Sequence, residues 1–324
     1  MKAAVLGAGA WGTTMAIHLA RKGNEVMLWG RESGRAAEMQ SRRENERYLP
    51  LTRFPDSLAV VSGGVPPCDL LVCAIPTQYI RSTLLGLPGG LPPAPLVSLS
   101  KGIEIATGLL PSRILADVLG PDRPVAVLTG PCIAREVARG MPAAVVVAGA
   151  RAAWLQEVFN SDRFRVYTSE DLVGAELSAA LKNVMGIASG IVDGLGIGDN
   201  AKAALLTRGI AEIMRLGVAL GAQAGTFAGL AGFGDLFTTC VSPYGRNRGV
   251  GERLGRGEPL DSILGGMTSV AEGVPTTKAV LSLARAQGVE MPITQALHSV
   301  LFGGTEPRAA IAQLMSRAMR AERF

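Results

Sequence analysis

The sequence predicts an α/β chain: a doubly wound, mostly parallel sheet followed by an all-helical C-terminal domain. Three observations predict it. Short apolar runs alternate with helical stretches through the first half, and a glycine-rich turn joins the first run to the first helix. Beyond about Thr168, β-branched runs give way to long segments of Ala, Leu and Gly.

Taken in order, Ala3-Ala4-Val5-Leu6 reads as a buried strand, Trp11 to Arg21 has helical spacing, and Glu25 to Trp29 reads as a second strand. Arg31 to Arg47 is charged and reads as an exposed helix. Apolar runs at Leu70–Ala74, Leu96–Leu99, Val125–Leu128 and Ala143–Ala148 read as further strands, punctuated by Pro/Gly clusters at Pro66-Pro67 and Leu87–Pro95. Strands separated by helices imply parallel pairing, with helices covering both faces. Asp171–Gly190 and Asn200–Gly221 read as helices. The uncharged stretch Leu216–Gly234 reads as a packed helix and a turn, because its Gly, Ala, Gln223 and Thr226 make a poor membrane span. The expected division is residues 1–170 as a dinucleotide-binding domain and 171–324 as a helical substrate-binding and catalytic domain.

With 48% apolar and 18% charged residues, the 324-residue chain can bury two cores. The net charge of +5 comes largely from arginine, since only six of the 32 basic residues are lysines. These charges are scattered, which argues against nucleic acid and suits an anionic small molecule equally well. Cys68, Cys73, Cys132 and Cys240 have no metal-ligand spacing with His18 and His298, so free thiols and no metal are expected. A start that runs straight into a glycine turn leaves no room for a signal peptide, and the cytoplasm is the expected compartment.

Gly7-Ala8-Gly9-Ala10-Trp11-Gly12 is a GxGxxG between strand and helix. Gly7 makes the tight turn, Gly9 lets backbone approach a pyrophosphate, and Gly12 lets helix and strand pack closely. The helix N-terminus offers unpaired N–H groups to the anion. At the end of the second strand, Arg31 suits the 2′-phosphate of NADP, while Glu32 suits the ribose hydroxyl of NAD. The reading leans to NADP and keeps NAD.

If the chain is an oxidoreductase, lysine is the leading candidate for proton chemistry, because His18 and His298 read as packing or surface residues. Lys182 lies in the small-residue, apolar stretch Ser178–Ala188. A buried ammonium there can lend a proton to a ketone oxygen; the alternatives are a lysine that snorkels to water or joins a structural ion pair. Lys101, just after a strand, stands where ligands of open parallel sheets bind. Asp235, among glycines and apolar residues, is a candidate partner for a buried lysine or simply a turn residue. In Gly245-Arg246-Asn247-Arg248, Arg246 can grip a phosphate bidentately and Asn247 adds a neutral donor, against the alternative of a solvated face. The turn Thr129-Gly130-Pro131-Cys132 follows a strand, and Cys132 reads as a packing residue because no base lies near it in sequence.

Together, Gly7–Gly12, Ser100-Lys101-Gly102, Gly130–Gly140, Ala180–Asn200, Ala231–Asp235, Gly245–Arg248 and Ala271-Glu272-Gly273 resemble the bacterial-type NAD(P)-dependent glycerol-3-phosphate dehydrogenases over nearly the whole chain. The resemblance implies a Rossmann-type N-terminal domain, an all-helical C-terminal domain and a homodimer. It implies reversible reduction of dihydroxyacetone phosphate to sn-glycerol 3-phosphate for phospholipid synthesis. By similarity Lys182 is the proton donor and acceptor, Lys101 meets cofactor and substrate, and Asp235 orients the lysine. Arg246 and Asn247 hold the phosphate, with Arg246 also near the cofactor. Gly130, Cys132, Asn183, Thr239 and Gly245 fall among the substrate positions. Ala10, Trp11, Arg31, Ala134, Val270 and Glu272 join the glycines as cofactor positions.

Two residues depart from that family's usual pattern: Cys132 stands where Ser or Thr is usual, and Gly245 where Ser is usual. Two rival readings accompany the resemblance: a related lysine-dependent dehydrogenase of β-hydroxy or sugar acids, and a dinucleotide-binding sensor without catalysis.

Overall fold

The structure, a computed structural model, describes residues 1–267, 270–319 and 321–322. It divides into two units: 1–100 with 111–172, and 101–110 with 173–324.

The first unit follows the order β1 (Lys2–Leu6), α1 (Ala10–Arg21), β2 (Glu25–Trp29), α2 (Ser33–Arg42), β3 (Glu44–Asn45), β4 (Leu49–Arg53), β5 (Leu58–Val61), β6 (Leu70–Cys73), α3 (Ile80–Leu85), β7 (Leu96–Ser98), α4 (Pro111–Leu119), β8 (Val125–Thr129), α5 (Ala134–Ala138), β9 (Ala143–Gly149), α6 (Ala152–Phe159) and β10 (Phe164–Ser169). Eight strands form one sheet in the order β10-β9-β8-β7-β6-β1-β2-β5, and β3 pairs with β4 alone. The central strands are apolar on both faces, as strands covered on both sides must be; Leu70, Leu71, Val72 and Cys73 are all buried.

Two expectations are corrected here. The helix from Arg31 stops at Arg42, because Arg43 turns into the left-handed region (φ 55°). Its guanidinium then bonds the carbonyls of Leu58 at 2.8 Å and Pro55 at 2.5 Å, and the chain continues as the β3–β4 hairpin. Charge density suggested a helix, but Leu49 and Phe54 carry this segment into the core. Parallel pairing also fails at one place: β8 and β9 run antiparallel. Residues 130–142 contain only the short helix α5, too short to carry the chain back along a strand, so β9 starts from the edge where β8 ended. The short strands β5 and β10 escaped the sequence reading. His18 is a packing residue, its Nε2 2.6 Å from the Phe159 carbonyl oxygen and its ring against Phe164; burial lowers its pKa.

The second unit comprises α7 (Leu172–Leu195), α8 (Asp199–Ala219), α9 (Ala224–Ala228), a π-helical turn at Leu230–Gly234, α10 (Asp235–Val241), α11 (Arg246–Gly255), α12 (Leu260–Gly265), α13 (Gly273–Ala286), α14 (Pro292–Phe302) and α15 (Pro307–Met315). The stretch expected as one packed helix and a turn thus holds the end of α8, all of α9 and the π-helical turn. The 24-residue α7 is its axis, buried along most of its length. Residues 101–110 join this unit although they follow β7 in sequence: Ile103 lies in the helical core and the Lys101 carbonyl accepts from Asn183 at 3.2 Å. Among the described residues, no helix is long and apolar enough to cross a membrane, and no group of three His, Cys, Asp or Glu side chains could hold a metal ion.

Candidate active site

Within the first unit, the glycine turn links β1 to α1. Gly7 has φ +111°, and a Cβ there would lie 2.7 Å from the Ala74 carbonyl oxygen. A Cβ on Gly12 would collide with the Gly7 carbonyl. Both glycines are therefore required by the backbone. Gly9 differs: a Cβ there would meet nothing within 4 Å. Open space at a glycine that caps a helix, with no side chain capping the first N–H groups, fits the approach of a dinucleotide pyrophosphate. Ala10 and Trp11 open α1, and the Trp11 Nε1 donor is buried without a partner among the described residues. Arg31 stands exposed just past β2, while the neighbouring Glu32 pairs with Arg35 at 3.3 Å.

Gly130, at φ +134°, ends β8, where a Cβ would press on the Val145 backbone at 3.0 Å. Cys132 is half-buried against the core, and Ala134 begins α5, its carbonyl accepting from Thr14 Oγ1 at 3.2 Å.

Within the second unit, Lys182 is 6% exposed on α7, and Asp235 is 1% exposed at the first position of α10. The Lys182 ammonium donates to Asp235 Oδ1, and to Thr239 Oγ1 at 2.8 Å. Asp235 and Thr239 are one helical turn apart, so a single face of α10 grips the nitrogen. Lys101 Nζ donates to the other carboxylate oxygen of Asp235 at 2.7 Å. Two ammonium groups thus share one carboxylate.

The π-helical turn delivers Asp235 into this position. Gly232 is required there, because a Cβ would meet the Phe227 backbone at 2.4 Å or less. Cys240, just after Thr239, is a buried thiol pushed up to about 12 by burial, hence inert.

Asn183, beside Lys182, accepts from Asn247 Nδ2 at 2.9 Å, and Asn247 Oδ1 in turn accepts the Gly273 N–H at 3.0 Å. This amide chain ties the lysine helix to the start of α11 and of α13, where Glu272 is the N-cap and Val270 lies exposed nearby. Arg246 is exposed at the first position of α11, and its guanidinium bonds no described residue. Arg248 faces elsewhere: it pairs with Asp193 at 2.6 Å and Glu252 at 3.2 Å, so the Arg-Asn-Arg run splits into three jobs. At Gly245 a Cβ would stand 2.9 Å from the Thr239 carbonyl oxygen, so the backbone here has closed around glycine.

The family model described as NAD-dependent glycerol-3-phosphate dehydrogenase N-terminus matches residues 2–155, and the corresponding C-terminus model matches residues 171–312. The chain belongs to the NAD-dependent glycerol-3-phosphate dehydrogenase family. It is 47% identical over 336 residues to the glycerol-3-phosphate dehydrogenase [NAD(P)+] of Pelodictyon phaeoclathratiforme, with 100% of each chain covered. It is also 47% identical to that of Citrifermentans bemidjiense, covering 99% of this chain and 98% of the relative. The crystal structure of glycerol-3-phosphate dehydrogenase from Coxiella burnetii superposes with a TM-score of 0.93 at 36% identity, covering 98% of this chain and 99% of that one.

As a member of this family the chain is an NAD(P)-dependent oxidoreductase. What sequence reasoning missed is the glycine ridge Gly186, Gly190 and Gly194 on the Lys182 face of α7. A Cβ on Gly186 would press on Thr239 and Asn247, and one on Gly190 would collide with the Arg248 carbonyl. Gly251 and Gly255 answer it from α11. The four-residue glycine spacing was the available signal.

Proposed function

We propose that the protein reduces dihydroxyacetone phosphate reversibly to sn-glycerol 3-phosphate, supplying phospholipid synthesis. The observation that carries this reading is the pair of ammonium groups, Lys182 buried and Lys101 half-buried, that meet on Asp235. The dinucleotide, when bound at the glycine turn, supplies the hydride that the ketone carbon accepts. Lys182 donates its proton to the ketone oxygen as the carbonyl π pair moves onto that atom, and recovers a proton from solvent afterwards. In the oxidative direction the neutral amine takes the hydroxyl proton. Asp235 and Thr239 aim Nζ. Lys101 adds a second positive charge where negative charge develops on oxygen. Arg246 takes the phosphate, whose grip orients the reacting carbon. Asn247, with its oxygen and one amide hydrogen committed inside the protein, retains one hydrogen for the same phosphate.

NADPH is the favoured cofactor in this reading, because Glu32 is engaged by Arg35 while Arg31 stands exposed at the end of β2. Gly7, Gly9, Ala10, Trp11, Gly12, Ala134, Val270 and Glu272 are assigned to it. A cytoplasmic homodimer completes the assignment, and sedimentation of the purified chain tests its oligomeric part.

The deciding experiment is steady-state kinetics with dihydroxyacetone phosphate, unphosphorylated dihydroxyacetone and a β-hydroxy acid, each with NADPH and NADH. The phosphorylated ketone with NADPH should give the highest kcat/KM. Lys182→Ala should lower kcat by about a thousandfold with NADPH affinity unchanged, and near-normal turnover would remove its role. Arg246→Ala should raise the KM for dihydroxyacetone phosphate by about a hundredfold.

A further inference from the structure

The β3–β4 hairpin, where charge pattern predicted helix, holds a buried amide facing the glycine turn. Asn45 is 2% exposed. Its Nδ2 donates to the Ala8 carbonyl at 2.9 Å and to Thr13 Oγ1 at 2.8 Å, and its Oδ1 accepts the Tyr48 N–H at 3.3 Å. One carboxamide therefore spans the turn, the first helix and the hairpin's own bend. The hairpin is a firm base for it, since Leu49 and Phe54 are rooted in the core.

The consequence follows from peptide geometry. In a trans peptide the carbonyl of one residue and the N–H of the next point in opposite directions. By holding the Ala8 oxygen, Asn45 turns the Gly9 N–H away from the hairpin, on the residue whose Cβ position is open. Glycine at position 9 accepts either sign of φ, so its own backbone does not oppose a flip of this peptide. A flipped plane would present a carbonyl oxygen to an anion in place of a donor.

We propose that Asn45 is a positioning residue for the dinucleotide: it locks the Ala8–Gly9 peptide with its N–H ready for pyrophosphate. This rests on the glycine turn being the cofactor site. The test uses the full-length protein, with NADPH affinity measured by direct fluorescence titration alongside kcat and the KM for dihydroxyacetone phosphate.

Asn45→Asp keeps size and the acceptor for Tyr48 but sets an oxygen against the Ala8 carbonyl; Asn45→Ala removes both functions. Each should raise the NADPH Kd at least tenfold, with kcat at saturating NADPH and the KM for dihydroxyacetone phosphate within twofold of the parent. Thr13→Val, which spares the Ala8 bond, should change Kd less than threefold. NADPH binding by Asn45→Asp and Asn45→Ala within twofold of the parent overturns the proposal. So does a rise in both substrates' constants together, or a failure of both variants to fold, since either marks a purely structural residue. A parent protein that binds neither NADPH nor NADH sinks the cofactor-site reading itself.

Discussion

The glycine turn at residues 7–12 and the crossing of α7 with α11 are both built from closely spaced glycines, yet the glycines do different work. At the crossing, Gly190, Gly194, Gly251 and Gly255 each face the backbone of the other helix, and any Cβ would strike it. At the turn, Gly7 and Gly12 are closed in the same way, but Gly9 opens onto empty space. A glycine filled by its own chain is there for packing. A glycine left open beside unpaired N–H groups is there for something that comes from outside. The tight crossing still bears on chemistry, because it brings the Lys182 helix and the Arg246 helix together closely enough for Asn183 to bond Asn247.

The sharpest way to break this contrast is Gly190→Ala. Its new methyl would meet the Arg248 carbonyl, a backbone atom that cannot swing aside. The expected cost is about 3 kcal/mol or more, read as a large fall in thermal midpoint. A midpoint near the parent's would show that the helices can part without penalty.

A second test probes the tightness of the helical unit through Glu212, a carboxyl buried on α8. It accepts the N–H groups of Ile293 at 2.6 Å and Thr294 at 3.3 Å, capping α14, and Thr294 Oγ1 bonds it too. Burial raises its pKa to about 7, opposed by those hydrogen bonds and by Arg215. The folded state thus holds this proton more tightly than the unfolded state. Its contribution to stability is full below the unfolded pKa of 4.5 and is lost as pH rises toward 7. Glu212→Gln, which keeps a cap but cannot ionise, should remove a pH-dependent loss of up to about 3 kcal/mol across that window. Urea midpoints from pH 4.5 to 8 measure it, and parallel curves for parent and variant would refute the assignment.

The smallest effect on folding belongs to Gly9→Ala. With no atom within reach of the new methyl, stability should move by less than about 1 kcal/mol, while NADPH affinity falls about tenfold through contact with the phosphates. Unchanged affinity would mean that the open space at Gly9 is not where the cofactor lies.

Much of this site was legible in local pattern. The strand, glycine turn and helix read correctly because each depends on neighbours within a few residues, and Lys182 stood out because an ammonium in a run of small apolar residues demands a partner. The hairpin at residues 44–53 was not legible, because its conformation is set by Leu49 and Phe54 reaching the core and by the Arg43 turn. In the Arg-Asn-Arg run the sequence offered Arg246 as the phosphate grip but gave no sign of what Arg248 does. Asp193, far away along the chain, captures Arg248, while Arg246 stays exposed.

The amino-acid order by itself determined the alternating first half and helical second half, where the backbone must bend without a side chain, and which rare lysines were out of place. Tertiary structure decided the rest: that Asp235 receives both lysines, that β9 reverses direction against β8, and that Asn45 holds the Ala8 carbonyl. The physical reason is range. Propensity and periodicity act over one or two helical turns, whereas a shared carboxylate or a buried amide exists only once segments distant in sequence have been packed together.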